Sequence, residues 1–176
     1  MSFTDQFNIK FSGLSEGVHL FDFEIGKLFF DTFENTEVEN AKVQVKVEMF
    51  KQSNMLTFDL AIEGFLNLTC DRCLDNFDFQ IKNNYTFFVK FGKTTYEESD
   101  DVIILAEHEP QINIAQYIYE YIMLCVPAKV VHPDDEKGES TCNKDFLKKL
   151  KEFEPDTQTD IDPRWEMLKK LKDNKN

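Results

Sequence analysis

Val43, Val45, Val47 and Met49 alternate with Lys42, Gln44, Lys46 and Glu48. A helix would scatter such a pattern around its axis. A strand sends successive side chains to opposite faces, so the two-residue period predicts a half-buried strand. Ser53-Asn54 reads as a turn. Met55 to Leu68 then predicts a second strand, with Phe58, Leu60 and Ile62 on one side and a bulge at Gly64. Phe77, Phe79 and Ile81, followed by Tyr85, Phe87 and Val89, predict a third. Neighbours in sequence pair most readily, so the three form an antiparallel meander.

The rest of the chain supplies smaller elements. Phe7, Ile9 and Phe11 alternate, and Val18, Leu20 and Phe23 follow the turn signals Gly13 and Gly17. Residues 24–33 read as a short helix, 92–101 as a polar loop and 102–105 as a short strand. Ile114, Ile118, Tyr121, Ile122 and Cys125 recur at helical spacing between an N-cap at Asn113 and a stop at Pro127. This predicts a helix over 113–126 with one face on the sheet. Residues 131–144 are polar, with Pro133 and Gly138, and read as loop. Phe146, Leu147 and Leu150 suggest a short helix. Asp162-Pro163 opens a last one carrying Trp165, Leu168 and Leu171.

The joint between the second and third strands carries Leu68-Thr-Cys-Asp-Arg-Cys-Leu74. A Cys-x2-Cys turn can aim Cys70 and Cys73 at one point, which suits tetrahedral zinc. Cys142 offers a third sulfur from the polar loop. The fourth ligand is His132, in the same loop, or Cys125. Cys125 lies on an apolar helix, where a cysteine usually serves as a small core residue. A thioredoxin-type redox pair would stand at a helix N-terminus; here the motif joins two strands and Arg72 is the nearby cation. The pattern therefore points to a structural Zn2+ centre. Its rivals are a thiol–disulfide redox protein using Cys70 and Cys73, and a metal-free acidic module for protein interaction. His19 and His108 read as structural or solvated.

A net charge of -13 repels phosphate backbones and disfavours free-standing nucleic-acid binding. Such a surface suits basic proteins, ribosomal proteins among them, or else serves only to keep the chain soluble. Residues 143–176 differ, with nine Lys or Arg against eight Asp or Glu, leaving +1. The remainder holds 11 against 25, leaving -14. Arg164, Trp165, Lys169 and Lys170 are thus the tail residues suited to a partner or a weak RNA contact; equally, the helix could dock on its own domain through Trp165. With 41% apolar residues and 18 phenylalanines, the chain can bury a full core without relying on metal. The N-terminus lacks a signal-peptide pattern and no stretch is long and apolar enough to span a membrane. Four cysteines in that context are expected as reduced, cytoplasmic thiols. No phosphate-cradling glycine loop, nucleophile elbow or dinucleotide fingerprint is present.

Taken in order, these parts resemble the YceD family, the large ribosomal RNA subunit accumulation proteins of bacteria and plastids. A β-rich half leads to Cys70-Asp71-Arg72-Cys73-Leu74. A helix ends at Val126-Pro127, followed by His132 and a lone Cys142, and Asp162-Pro163-Arg164 opens the closing helix. The resemblance implies a role in accumulation or maturation of large-subunit (23S) ribosomal RNA and in large-subunit assembly. It implies no reaction and no catalytic residues.

The expected architecture is α+β. Residues 1–143 form a β-rich domain: an antiparallel sheet, open or barrel-like, packed by the 113–126 helix and carrying the zinc-knuckle-like turn. Residues 144–176 form a helical tail.

Overall fold

A computed structural model describes residues 3–33, 38–99 and 101–153. The chain divides into two compact units, Met1–Cys142 and Asn143–Asn176. In the first, a 3-10 turn, Phe3–Phe7, leads into β1, Asn8–Lys10. Then follow β2, Gly17–Gly26; α1, Lys27–Phe30; β3, Asn40–Lys51; β4, Met55–Thr69; and β5, Asn76–Gly92. Short strands β6, Tyr96–Ser99, β7, Val102–Ala106, and β8, Gln111–Asn113, precede α2, Ala115–Leu124. The second unit contributes α3, Lys144–Phe153, which Asn143 caps by accepting from the Asp145 and Phe146 amides at 3.1 and 3.2 Å.

The fold is α+β, as the sequence predicts, and the main sheet is mostly antiparallel. Its order is β2-β3-β4-β5-β7-β6, and β1 pairs β8 apart from it. The sheet stays open, so barrel closure does not occur. Strands β2 to β5 form the expected meander, each pair antiparallel. The break comes after β5. The polar stretch expected as loop forms β6 on the sheet edge, and β7 inserts between β6 and β5, parallel to β5.

Alternation fixes which face is inside. Val43, Val45, Val47 and Met49 of β3 are buried, as are Leu56, Phe58, Leu60 and Ile62 of β4. Phe58 stacks on Phe87 across the β4–β5 pair with ring centroids 4.7 Å apart. On this face α2 buries Ile118, Tyr121 and Ile122. Tyr121 stacks on Tyr85 at 4.6 Å and Tyr117 on Phe87 at 5.0 Å. The helix is shorter than expected at both ends. The N-cap falls on Ile114, without a side-chain cap, and not on the expected Asn113, which stands one residue earlier with its Oδ1 accepting from the Ala115 amide at 3.0 Å.

Two expectations are corrected by backbone geometry. The 24–33 helix is reduced to Lys27–Phe30 because β2 continues through Gly26 in register with Lys42. Gly64 is no bulge: it pairs in unbroken register opposite Val43, at φ +157. A Cβ there would strike the Lys42 carbonyl and lie 2.6 Å from the Val43 Cα, so glycine is needed for the close approach of two strands.

Candidate metal centre

The β4–β5 hairpin ends in the turn 70–75, and its hydrogen bonds shape the sulfur pair. The Cys70 amide donates to the Asp75 carbonyl at 3.0 Å, and the Leu74 amide to the Cys70 carbonyl at 2.9 Å. Closing so tight a turn puts Leu74 in the left-handed region, φ 60, with its side chain exposed. Cys70 and Cys73 both point inward and are 0% and 1% exposed.

The chain after α2 is tied back to this turn. The Asp71 amide donates to the Val130 carbonyl at 2.8 Å, and the Asp71 carboxylate accepts from the Val130 amide at 2.6 Å. This double clamp sets His132 against the sulfurs. The imidazole stacks on Phe77 with centroids 4.3 Å apart, which fixes the ring plane. Its Nδ1 lies 3.4 Å from Cys73 Sγ and 3.8 Å from Cys142 Sγ.

The long gap from His132 to Cys142 folds into a small hairpin. Asp134 bridges to Ser140, and the Asp135 carboxylate accepts from the amides of Lys137 and Glu139 at 2.9 and 2.8 Å. Arg72 Nη1 donates to Ser140 Oγ at 3.0 Å, pinning the hairpin to the cysteine turn. Cys142, 2% exposed, then lies with its sulfur 3.8 Å from that of Cys70.

The structure thus brings together Cys70, Cys73, His132 and Cys142, with donor atoms all within 4.8 Å of one another. Cys125 stays apart, its thiol donating to the Tyr121 carbonyl at 3.2 Å. His19 bonds the Ser15 carbonyl, and exposed His108 pairs with Glu109. Arg164, Trp165, Lys169 and Lys170 lie outside the described residues.

The donor set fits a tetrahedral zinc ion. With Zn–S about 2.3 Å and Zn–N about 2.0 Å, a tetrahedron has S···S edges of about 3.8 Å and S···N edges of about 3.5 Å. The Cys70–Cys142 sulfur separation, 3.8 Å, and the Cys73–His132 separation, 3.4 Å, match these, while Cys142 Sγ to His132 Nδ1, at 3.8 Å, is slightly longer. Electrostatics agree. Burial pushes the Cys70 thiol up, but hydrogen bonds from the Arg72, Cys73 and His132 amides and from the His132 ring outweigh it and bring Cys70 down to about 6. Amide donors that hold a thiolate are what a metal ligand requires. Sequence reasoning missed the residues that assemble the group: Asp71, Phe77, Asp135 and Ser140. The signals were modest. Asp71 lies between the two cysteines, and Ser140 two residues before the third.

Among the described residues no helix is long and apolar enough to cross a membrane. No curated protein and no solved structure matches the chain significantly. A family model does. The model described as large ribosomal RNA subunit accumulation protein YceD matches residues 58–172, more than half of the chain, from β4 through the entire Cys/His cluster and into the C-terminal segment. The chain therefore belongs to the YceD family, whose role lies in accumulation of the large ribosomal RNA subunit.

Proposed function

We propose that this chain is a non-enzymatic factor for maturation of 23S ribosomal RNA and assembly of the large subunit, built around one structural zinc ion. Cys70, Cys73, Cys142 and His132 hold the metal. The observation that supports the structural reading is that four protein donors lie within 4.8 Å of one another, three of them buried, enough to fill every corner of a tetrahedral site. A catalytic zinc keeps one corner for water or substrate. The metal here joins the β4–β5 turn to the segment after α2, so it fixes chain geometry.

Family membership supports the ribosomal role, and charge supports a protein-first route. At -13 the chain approaches basic ribosomal proteins or assembly factors more readily than naked RNA. Residues 144–176 act as a separate element, with Arg164, Trp165, Lys169 and Lys170 making the closest approach to a partner or to RNA. The setting is cytoplasmic.

The test is a strain that depends on this gene. Replacing Cys70 and Cys142 by serine should lower the ratio of large- to small-subunit RNA. A normal ratio after complete deletion of the gene would refute the ribosomal role. Zinc far below one ion per chain, in protein purified reduced and without chelator, would refute the metal. The Cys-x2-Cys spacing of Cys70 and Cys73 carries one second reading, a redox dithiol. Catalytic reduction of insulin disulfides by the purified protein would establish it.

A further inference from the structure

Four of the five tyrosines gather away from the metal centre. A groove of about 830 Å³ runs beside α2 and is lined by Tyr85, Tyr117, Tyr119 and Tyr121, with Asp101 and Glu120 also on its wall. Tyr85 and Tyr117 are half-buried, while both acids are exposed. Tyr121 is 6% exposed, yet among the described residues its hydroxyl has no hydrogen-bond partner. A buried hydroxyl is normally satisfied, so an orphan on a groove wall marks a place where a ligand group can enter. The charges of Asp101 and Glu120 reach that oxygen: after burial, they are the main influences that push the Tyr121 phenol up to about 12. Leu124, 67% exposed at the end of α2, adds apolar surface to the same groove.

We propose that this groove binds an arginine side chain from a basic segment of a partner protein. Aromatic rings attract a cation, two carboxylates pair with it, and the Tyr121 oxygen accepts one of its N–H groups. The planar guanidinium can stack and donate at once, which an ammonium cannot. The aliphatic stem lies along Leu124. Phosphate is disfavoured by the same carboxylates, which sets this surface against RNA. The proposal rests on the reading that the chain acts through basic proteins, and it adds where and by what chemistry. Peptide binding measured in solution does not require the ribosomal role, so failure here overturns the groove alone.

The experiment uses the full chain and a fluorescein-labelled peptide of alternating arginine and glycine. Its lysine and citrulline counterparts serve as comparisons. The arginine peptide should bind tightest and the citrulline peptide weakest. Asp101→Asn with Glu120→Gln should weaken the arginine peptide about tenfold. Asp22→Asn with Glu24→Gln, an equal charge change at exposed positions of β2, should cost less than about twofold. Tyr121→Phe keeps the ring and should weaken arginine more than lysine. Circular dichroism spectra of all variants should match the parent, since the acids are exposed and the phenylalanine is nearly isosteric. Equal losses from the β2 pair and the groove pair would overturn the proposal, as would arginine and lysine peptides that bind alike. Competition for the groove by single-stranded RNA would also overturn it.

Discussion

Cys70 Sγ lies 3.8 Å from Cys142 Sγ, although 72 positions separate the two residues. One end of this relationship is a hairpin turn within the sheet. The other is a polar segment whose only regular pairing is a single bridge. The contrast gives a metal its structural use, because an ion held by these residues would tie the weakly structured segment to the strongly structured one. Cys142→Ser should therefore lower zinc content well below about one per chain after dialysis. Its melting temperature should fall, while the far-ultraviolet circular dichroism of the sheet persists. The core buried by β3, β4 and β5 does not depend on the cluster. A wild-type zinc content in this variant would count against the four-donor site.

Asp71 contacts no metal donor directly in the hydrogen bonds described; it holds Val130 by amide and carboxylate together. Residues that orient ligands commonly tune metal affinity about 10–100-fold. Asp71→Ala should then weaken zinc binding about tenfold and cost about 1 kcal/mol in stability, since one of the two bonds remains. A competition titration with a chromogenic chelator measures the first, and urea unfolding the second. An unchanged affinity would mean that the His132 position is set by Phe77 stacking alone.

Much of the fold could be read from the sequence wherever burial is one-sided. The β3 to β5 strands bury alternate residues on one face only, so the pattern itself reports the pairing surface. Where that condition fails, so does the reading. Edge strand β6 carries Glu98 and Ser99 in solvent and looked like loop. Strand β7, Val-Ile-Ile-Leu-Ala, was legible as a strand, but an unbroken apolar run does not name its partner, and it pairs parallel to β5. At the centre, Cys70 and Cys73 declared themselves by spacing. His132 and Cys142 were legible as candidates from one polar loop, but not how the loop closes, because the Asp135 turn uses a carboxylate as backbone cap, a local choice with no periodic signature.

Gly64 was misread for a related reason: a glycine inside a strand signals either a bulge or a close approach. The unbroken register opposite Val43 decides for the latter. Gly64→Ala must move the β3 backbone away from β4, because the colliding atoms are the Lys42 carbonyl and the Val43 Cα, not the end of a flexible side chain. The expected loss is about 2–3 kcal/mol. It should appear as a lower urea midpoint with an unchanged slope. Stability within about 0.5 kcal/mol of wild type would show that the strands can part freely there.

Tyr121 gives the protein a stability profile at high pH. Burial is the largest influence raising its phenol, with Asp101, Glu120 and Tyr85 adding to it, and the group reaches about 12. An unfolded tyrosine ionises near about 10. The folded chain thus prefers the neutral phenol. Its contribution is fully present below about pH 10 and is lost as pH rises through about 12. Urea midpoints measured across this window should decline for the wild type. Tyr121→Phe has no phenol to ionise, so its decline should be shallower. Phenolate absorbance gives an independent reading, since the variant should lack the phenol that is pushed up to about 12. Parallel declines in the two proteins would show that the Tyr121 hydroxyl already reaches water, and the groove would then offer no orphan acceptor for a ligand.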